Sequence, residues 1–471
     1  MRIFIHTRSG GFAVMLLIFS VGPVSLFGRQ TPFYPKPANQ NVVSNPPPED
    51  TPVRKRFIRS AWLWASMEAI PWTWDKVVVR ADFADISWKT VGYNLHLSNW
   101  TWDDDDFVTN QLAHPAHGSL FFNAFRSNGY SFWQSTAAAF AGSYIWETFS
   151  ENQAPAPNDF INTGFGGMVL GEMINRFSNK IIDNRRRGFR RQVSEILAFM
   201  INPTNGLSRI IDGRWGKVSA NSPQRDSSKV YAEIDAGMRE FRVDHRNWKS
   251  GLYGHLKVMY GTPYEDYKTP FSNISVNAEF GMDDSSKVNV VSAYGSLRGW
   301  RIAETENSRH LVLLTANYDF IDNEAFFYSA QSVKLNLFSE FGLTHKLKIS
   351  TVIGAGSILL AAVPDVYSYA GRNYDYCMGA GFNGSGAINI SDRFYLSMNY
   401  RGGWFTTLSG TASNYFLHTV SGEVSYRIID GLSVCAEPGY FSLHGNYRHD
   451  PDVDKTYPYF RVSLRYSMHT Q

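Results

Sequence analysis

From Lys229 to Met468 the chain alternates apolar and polar residues in short runs separated by turn residues, with no helical period. Runs such as VYAEIDAGMREF, NISVNAEFG, SVKLNLFSEFG and YFRVSLRYSM put opposite characters on opposite faces. In the last of these, Phe460, Val462, Leu464 and Tyr466 share one face, and Arg461, Ser463, Arg465 and Ser467 share the other. A strand that is oily on one side and charged on the other suits a wall between lipid and a hydrated lumen. At about twenty residues per strand and turn, residues 217–471 predict a closed antiparallel transmembrane β-barrel of about 12 strands. The expected fold is therefore mainly β. Gly354, Gly356, Gly379, Gly381, Gly384 and Gly386 interrupt these strands where a close neighbour or coiling leaves no room for a side chain.

Residues 111–215 follow a different period and predict an N-terminal α-helical domain of about three helices. The alanine-rich SFWQSTAAAFAGSYIWETFSE gives one, ended by Pro155 and Pro157. Asn158 stands where an N-cap would start a second, NDFINTGFGGMVLGEMINRFSNKII, with Asp159 in its first turn. Thr163, Gly167 and Gly171 recur there every fourth position, a stripe of small residues that lets another helix approach closely. RRQVSEILAFMI gives a third, following the basic cluster Arg185 to Arg191 and stopping before Asn202 and Pro203.

Upstream, residues 1–28 read as a secretory signal peptide: Arg2 and Arg8 precede the short apolar run Phe12 to Phe19, and small residues follow. Residues 29–56 form a proline-rich linker, and residues 57–110 carry Trp62, Trp64, Trp72, Trp74, Trp88, Trp100 and Trp102. That density predicts an interfacial segment, because indole rings favour the headgroup level of a bilayer. The acidic run Asp103 to Asp106 lacks the spaced ligands of a calcium loop and reads as a solvated turn. Composition adds limits more than direction. A net charge of +3 gives no reason to expect nucleic acid. Cys377 and Cys435 read as isolated strand residues, since a chain of 471 residues needs no staple. An exported chain with an alternating C-terminal half belongs in the outer membrane.

Candidate chemistry concentrates in HPAHGSLFFNAFRSNGYSFWQS, WETFSEN and PNDFINTGFGGMVLGE. His114 and His117 can act as bases, Ser119 as a nucleophile, and Glu147 or Asp159 as the carboxylate that orients the base. No G-x-S-x-G elbow surrounds Ser119. A metal site from His114, His117, Glu147 and Glu151 is a second reading, without the H-E-x-x-H pattern, and purely structural roles for these residues are a third. The same stretch, from about His114 to Gly213, resembles the signature of an uncharacterised family of Gram-negative outer-membrane proteins in which a compact segment precedes or plugs a β-barrel. The resemblance implies export, the outer membrane and the barrel, and it supplies no reaction. Location supplies a substrate class, because lipid A and phospholipids present acyl esters beside the barrel wall. The expectation is a lipid A deacylase without a cofactor; the competing class is a pore, transporter or envelope anchor whose helices plug the lumen.

Overall fold

The computed structural model describes residues 54–222, 224–225, 228–242, 247–281, 287–323, 326–344 and 346–470, so residues 1–28, expected to be a signal peptide, and nearly all of the segment expected to be a linker lie outside it. Twelve strands form one closed antiparallel barrel among the described residues. In chain order they are β1 (Val230–Phe241), β2 (Lys249–Tyr260), β3 (Ile274–Gly281), β4 (Val288–Glu304), β5 (Ser308–Asp322) and β6 (Phe327–Thr344). These are followed by β7 (Leu347–Tyr369), β8 (Arg372–Ile390), β9 (Phe394–Ser409), β10 (Ser413–Ile429), β11 (Leu432–Tyr447) and β12 (Val453–Thr470). Each strand pairs with its sequence neighbours, and β1 closes the cylinder on β12 with Asp235 opposite Arg465. Closure removes the sheet edges that hydrocarbon could not satisfy.

The register decides which face is which. Phe460, Val462, Leu464 and Tyr466 of β12 are exposed, whereas Ser463, Arg465 and Ser467 are buried. Following the pairing around the cylinder puts Asp235, His255, Glu279, Asp319 and Arg401 on the inner face with Arg465. Met238, Leu252, Leu335, Ile353, Met398 and Trp404 point outward and are exposed. This is the lipid-outside, charge-inside wall that the alternation predicts, and the barrel is of the outer-membrane type. Both cysteines are free and buried.

The helical part is larger than three helices. It comprises α1 (Phe57–Trp74), α2 (Trp88–Asn94), α3 (His114–Arg126), α4 (Phe132–Ile145), α5 (Pro157–Ile161), α6 (Gly167–Ile181), α7 (Gly188–Ile201) and α8 (Pro203–Ile211). None is long and apolar enough to cross a membrane. Ser131 caps α4 with a reciprocal bond to Gln134. The segment beginning at Asn158 departs from expectation: Ala156 is the N-cap and Pro157 takes the first helical position, where its missing N–H costs nothing. Asn202 ends α7 and caps α8, its side chain accepting from the Asn205 N–H.

The small-residue stripe does what its spacing suggests, inside the domain. α3 and α6 cross backbone to backbone at Gly118 and Gly167, while Gly171 faces the Phe122 ring. Phe121, Phe122, Phe165, Met168, Val169 and Met173 fill the core around this crossing.

That core continues into the barrel, and it does so from outside. Tyr260, Ile274, Val291, Ala293, Ala316, Tyr318, Phe320, Leu360, Tyr374 and Tyr376 join the same apolar cluster. Every one of them has the outward parity of the lipid-facing wall. Phe107 stacks on Phe320 at 5.5 Å, Trp102 meets Tyr376 at 5.1 Å and Phe132 meets Phe271 at 5.2 Å. The helices therefore form a buttress on the outer wall of β2 to β8, and the expectation of a lumen plug is corrected. The lumen is narrowed by its own side chains instead: Tyr328, Ile358, Phe405, Tyr415, Leu417, Leu443 and Tyr457 make a separate inward-facing cluster.

Candidate functional site

Three of the four π-helical turns among the described residues lie beside the candidate residues, at Thr109–Ala113, Trp146–Ser150 and Asn162–Gly166. Such turns widen a helix and re-aim side chains, and they recur at functional sites. Here they carry the buried polar residues Asn110, Gln111, Glu147, Asn162 and Thr163.

His114 opens α3 directly after the first turn. Its Nδ1 lies 3.1 Å from Thr163 Oγ1 and its Nε2 lies 3.4 Å from Asp159 Oδ1. Asp159 also accepts from Asn158 Nδ2 at 2.8 Å. Glu147 accepts from the Ala156 N–H at 3.0 Å, and Glu151 accepts from Trp146 Nε1 at 2.5 Å. Asn94 Nδ2 ties the backbone together by donating to the carbonyls of Glu147 and Glu151 at 3.2 and 3.1 Å. Burial raises the Glu147 and Asp159 carboxyls well above the usual range, and neighbouring carboxylates raise them further. Burial likewise pushes Glu151 up to about 8, and lowers His114 to about 3 with help from nearby His117. Burial thus favours the proton-bearing form of these carboxyls and the uncharged form of the His114 imidazole.

The hydrolase set is not brought together. Ser119 is buried, and its hydroxyl donates to the Ala116 carbonyl at 2.6 Å, within its own helix. His117 points elsewhere: its Nε2 donates to the Met67 carbonyl at 2.9 Å, and its ring packs on Phe121 at 4.5 Å and Trp146 at 4.8 Å. Of the proposed residues only His114 and Asp159 meet directly. His114, His117, Glu147 and Glu151 do not converge, and no group of three metal-ligating side chains is placed to hold an ion among the described residues. The acidic run is also more than a solvated turn. Arg372 donates to the Asp103 carbonyl at 2.7 Å and Tyr374 to the Asp105 carbonyl at 2.8 Å, which seats the run on the barrel wall.

Two constellations escape a reading of the helical segment alone. The first is a polar seam under the buttress: Gln331 Nε2 donates to Asn162 Oδ1 at 2.5 Å, Tyr318 Oη to the Gln111 carbonyl at 2.5 Å, and Asn110 Nδ2 to Tyr374 Oη at 2.9 Å. Gln331 and Ser329 sit at outward positions of a lipid-facing strand, and that misplaced polarity was the available signal.

The second constellation spans the lumen. Arg401 of β9 reaches across to Ser292 of β4 at 3.0 Å and Asp319 of β5 at 3.2 Å, yet 54% of its side-chain surface stays open. Tyr415 of β10 donates to Asp375 of β8 at 2.8 Å, and Tyr447 of β11 to Asp365 of β7 at 2.9 Å. Other inner charges are paired locally, as in Arg465 with Asp235 at 2.8 Å and with Glu423 at 2.5 Å.

Residues 99–204 match the model of a family described as a domain of unknown function, DUF3943, a span that lies within the buttress and covers well under half of the chain. No curated protein matches the chain. Among solved structures it is similar to the KdgM porin at 11% identity, with a TM-score of 0.24 and coverage of 50% of this chain and 99% of that one. The outer membrane channel DcaP of Acinetobacter baumannii is similar at 8% identity and a TM-score of 0.27, over 51% and 97% of the two chains. The toluene transporter TodX of Pseudomonas putida is similar at 8% identity and a TM-score of 0.23, over 51% and 89%. At these identities and scores the similarity carries no functional information.

Proposed function

We propose that this outer-membrane barrel is a narrow channel for small polar solutes, with its lumen tied across at two levels. The observation that carries the reading is Arg401, a charged side chain that crosses the lumen and still keeps half of its surface open. A charge that faced only packed protein would be costly, so open surface here means space for water beside it. On the same wall as Arg401, Gly354, Gly356, Gly379, Gly381 and Gly403 on the inner faces of β7 to β9 add no side chains of their own to the lumen. Twelve strands fall between the small barrels filled by side chains and the large barrels that hold wide aqueous pores. Purified full-length protein in planar bilayers is expected to give small, discrete conductance steps. Arg401→Ala, which removes the tie to Asp319 together with a fixed positive charge, should raise the conductance several-fold and shift selectivity toward cations. A silent wild type together with a silent, correctly folded Arg401→Ala and Tyr415→Phe would end the proposal.

The lipid A deacylase reading has no joined nucleophile and base behind it, because Ser119 bonds within its own helix. Mass spectrometry of lipid A is therefore expected to give the same acylation pattern in cells carrying wild type, Ser119→Ala or a deletion of the gene. Loss of one acyl chain only when Ser119 is present would restore that reading.

A further inference from the structure

We infer that the outer face of the helical buttress is immersed in the same bilayer that surrounds the barrel, at the boundary between headgroups and acyl chains. The face consists of α1, the turn after it, α2 and the short turn at Leu97–Asn99, where Trp62, Ile70, Trp74, Val78, Trp88 and Leu97 are all exposed, Trp88 at 89%. A water-soluble domain seldom leaves so much contiguous indole and aliphatic surface bare. Three observations identify lipid as the occupant.

The first is where the domain sits: its inner side covers outward-facing positions of β2 to β8, so it stands in the place of acyl chains. The second is continuity. One step along the strands from the covered pair Ala316 and Val333, the wall emerges as Leu335, Leu337 and Ile353, all exposed and apolar. The lipid-facing belt thus runs up to the edge of the domain. The third is chemistry: the exposed indoles are interleaved with exposed Arg80 and Lys89, whose stems can lie along apolar surface while their charges reach headgroups. Tryptophan with basic residues is the composition of a bilayer interface. Beneath this face Leu63 and Met67 are buried, and Trp64 packs on Phe121 at 5.8 Å, so α1 already has its protein partner on the other side.

The test is site-directed spin labelling of the full chain in phosphatidylcholine liposomes, in a background where Cys377 and Cys435 are changed to Ala. Labels at Ile70→Cys and Val78→Cys should be relaxed by oxygen, which concentrates in acyl chains, over a water-soluble nickel chelate. That preference is expected to be several-fold higher than for a label at Lys217→Cys, an exposed polar position. A preference equal to that of Lys217→Cys overturns the inference. So does spin–spin broadening that vanishes on dilution with unlabelled chain, because the face would then meet a second copy. A second measurement avoids labels. Brominated acyl chains should quench the wild-type tryptophan emission, and a Trp62→Phe, Trp74→Phe, Trp88→Phe variant that still folds should lose part of the quenchable signal; an unchanged quenchable fraction counts against the proposal.

Discussion

Gly167→Val should remove the folded protein from the outer membrane. A Cβ at Gly167 would lie 2.5 Å from the Gly118 carbonyl carbon and 2.6 Å from its Cα, and these are backbone atoms that cannot rotate aside. The helices cannot slide apart cheaply either, because Asn123 Nδ2, which bonds the Ser119 carbonyl of its own helix at 2.8 Å, also donates across the crossing to the Gly171 carbonyl at 3.0 Å. Overpacking a core typically costs about 1–3 kcal/mol, and more where backbone must move. The larger loss comes from the barrel. Once α6 and its preceding turn shift, the Gln331 amide loses Asn162 and faces hydrocarbon, where an unsatisfied polar group costs several kcal/mol. Against a total stability on the order of 5–15 kcal/mol, that is enough to prevent assembly. The readout is the heat-modifiable band of folded barrel in outer-membrane fractions, expected to be absent for Gly167→Val and weakened for Gly167→Ala. Gly386→Ala, where no atom lies within 4 Å of the added methyl, should assemble normally. Wild-type levels of Gly167→Val would mean that the buttress is dispensable to the barrel.

Much of this architecture is legible in the residues, and the part that is not has a physical cause. The barrel can be read because a period of two survives wherever one side of a strand meets lipid and the other meets charge, as in Phe460 to Ser467. The α3–α6 crossing can be read from Thr163, Gly167 and Gly171, since only small residues let two backbones touch. The extent of the helical part is harder. α1 carries Pro71 inside it and is apolar almost all round, so no amphipathic stripe marks it as a helix. The placement of the buttress is harder still. Tyr374 and Tyr376 on the outer wall look like members of an aromatic girdle, and only Gln331 and Ser329 betray a protein cover. The acid–histidine cluster is legible as residue types, but whether Ser119 meets His117 depends on helix phase and a neighbouring carbonyl, and Met67 is fifty positions away.

Raising the pH from 7 to 9 should loosen the buttress, and Glu68→Gln should reduce the effect. Glu68 of α1 is buried, neither of its carboxyl oxygens has a hydrogen-bond partner among the described residues, and burial pushes its pKa up to about 9. Glu151 is pushed up to about 8. Below the ordinary carboxyl range both folded and unfolded states are protonated, and these groups cost nothing extra. As pH rises past that range the unfolded chain ionises freely while the folded chain cannot, so stability falls continuously until the folded groups ionise, and levels off above about pH 9. His114 and His117 have the opposite sign, being pushed down to about 3 and about 4, but both are neutral in either state above pH 7 and add no slope in this window. The loss through Glu68 is on the order of a few kcal/mol, taking about 1.4 kcal/mol per unit and allowing for water entering as α1 lifts. Tryptophan emission during thermal unfolding reads it directly, because Trp62, Trp64 and Trp74 share α1 with Glu68. The transition should move to lower temperature from pH 7 to 9 in wild type and move by clearly less in Glu68→Gln, which keeps only the share of Glu151 and its neighbours, with the two proteins closest to each other at pH 5. Equal slopes in the two would assign the alkaline loss to Glu147, Glu151 and Asp159 beneath α3 and leave Glu68 no part in it.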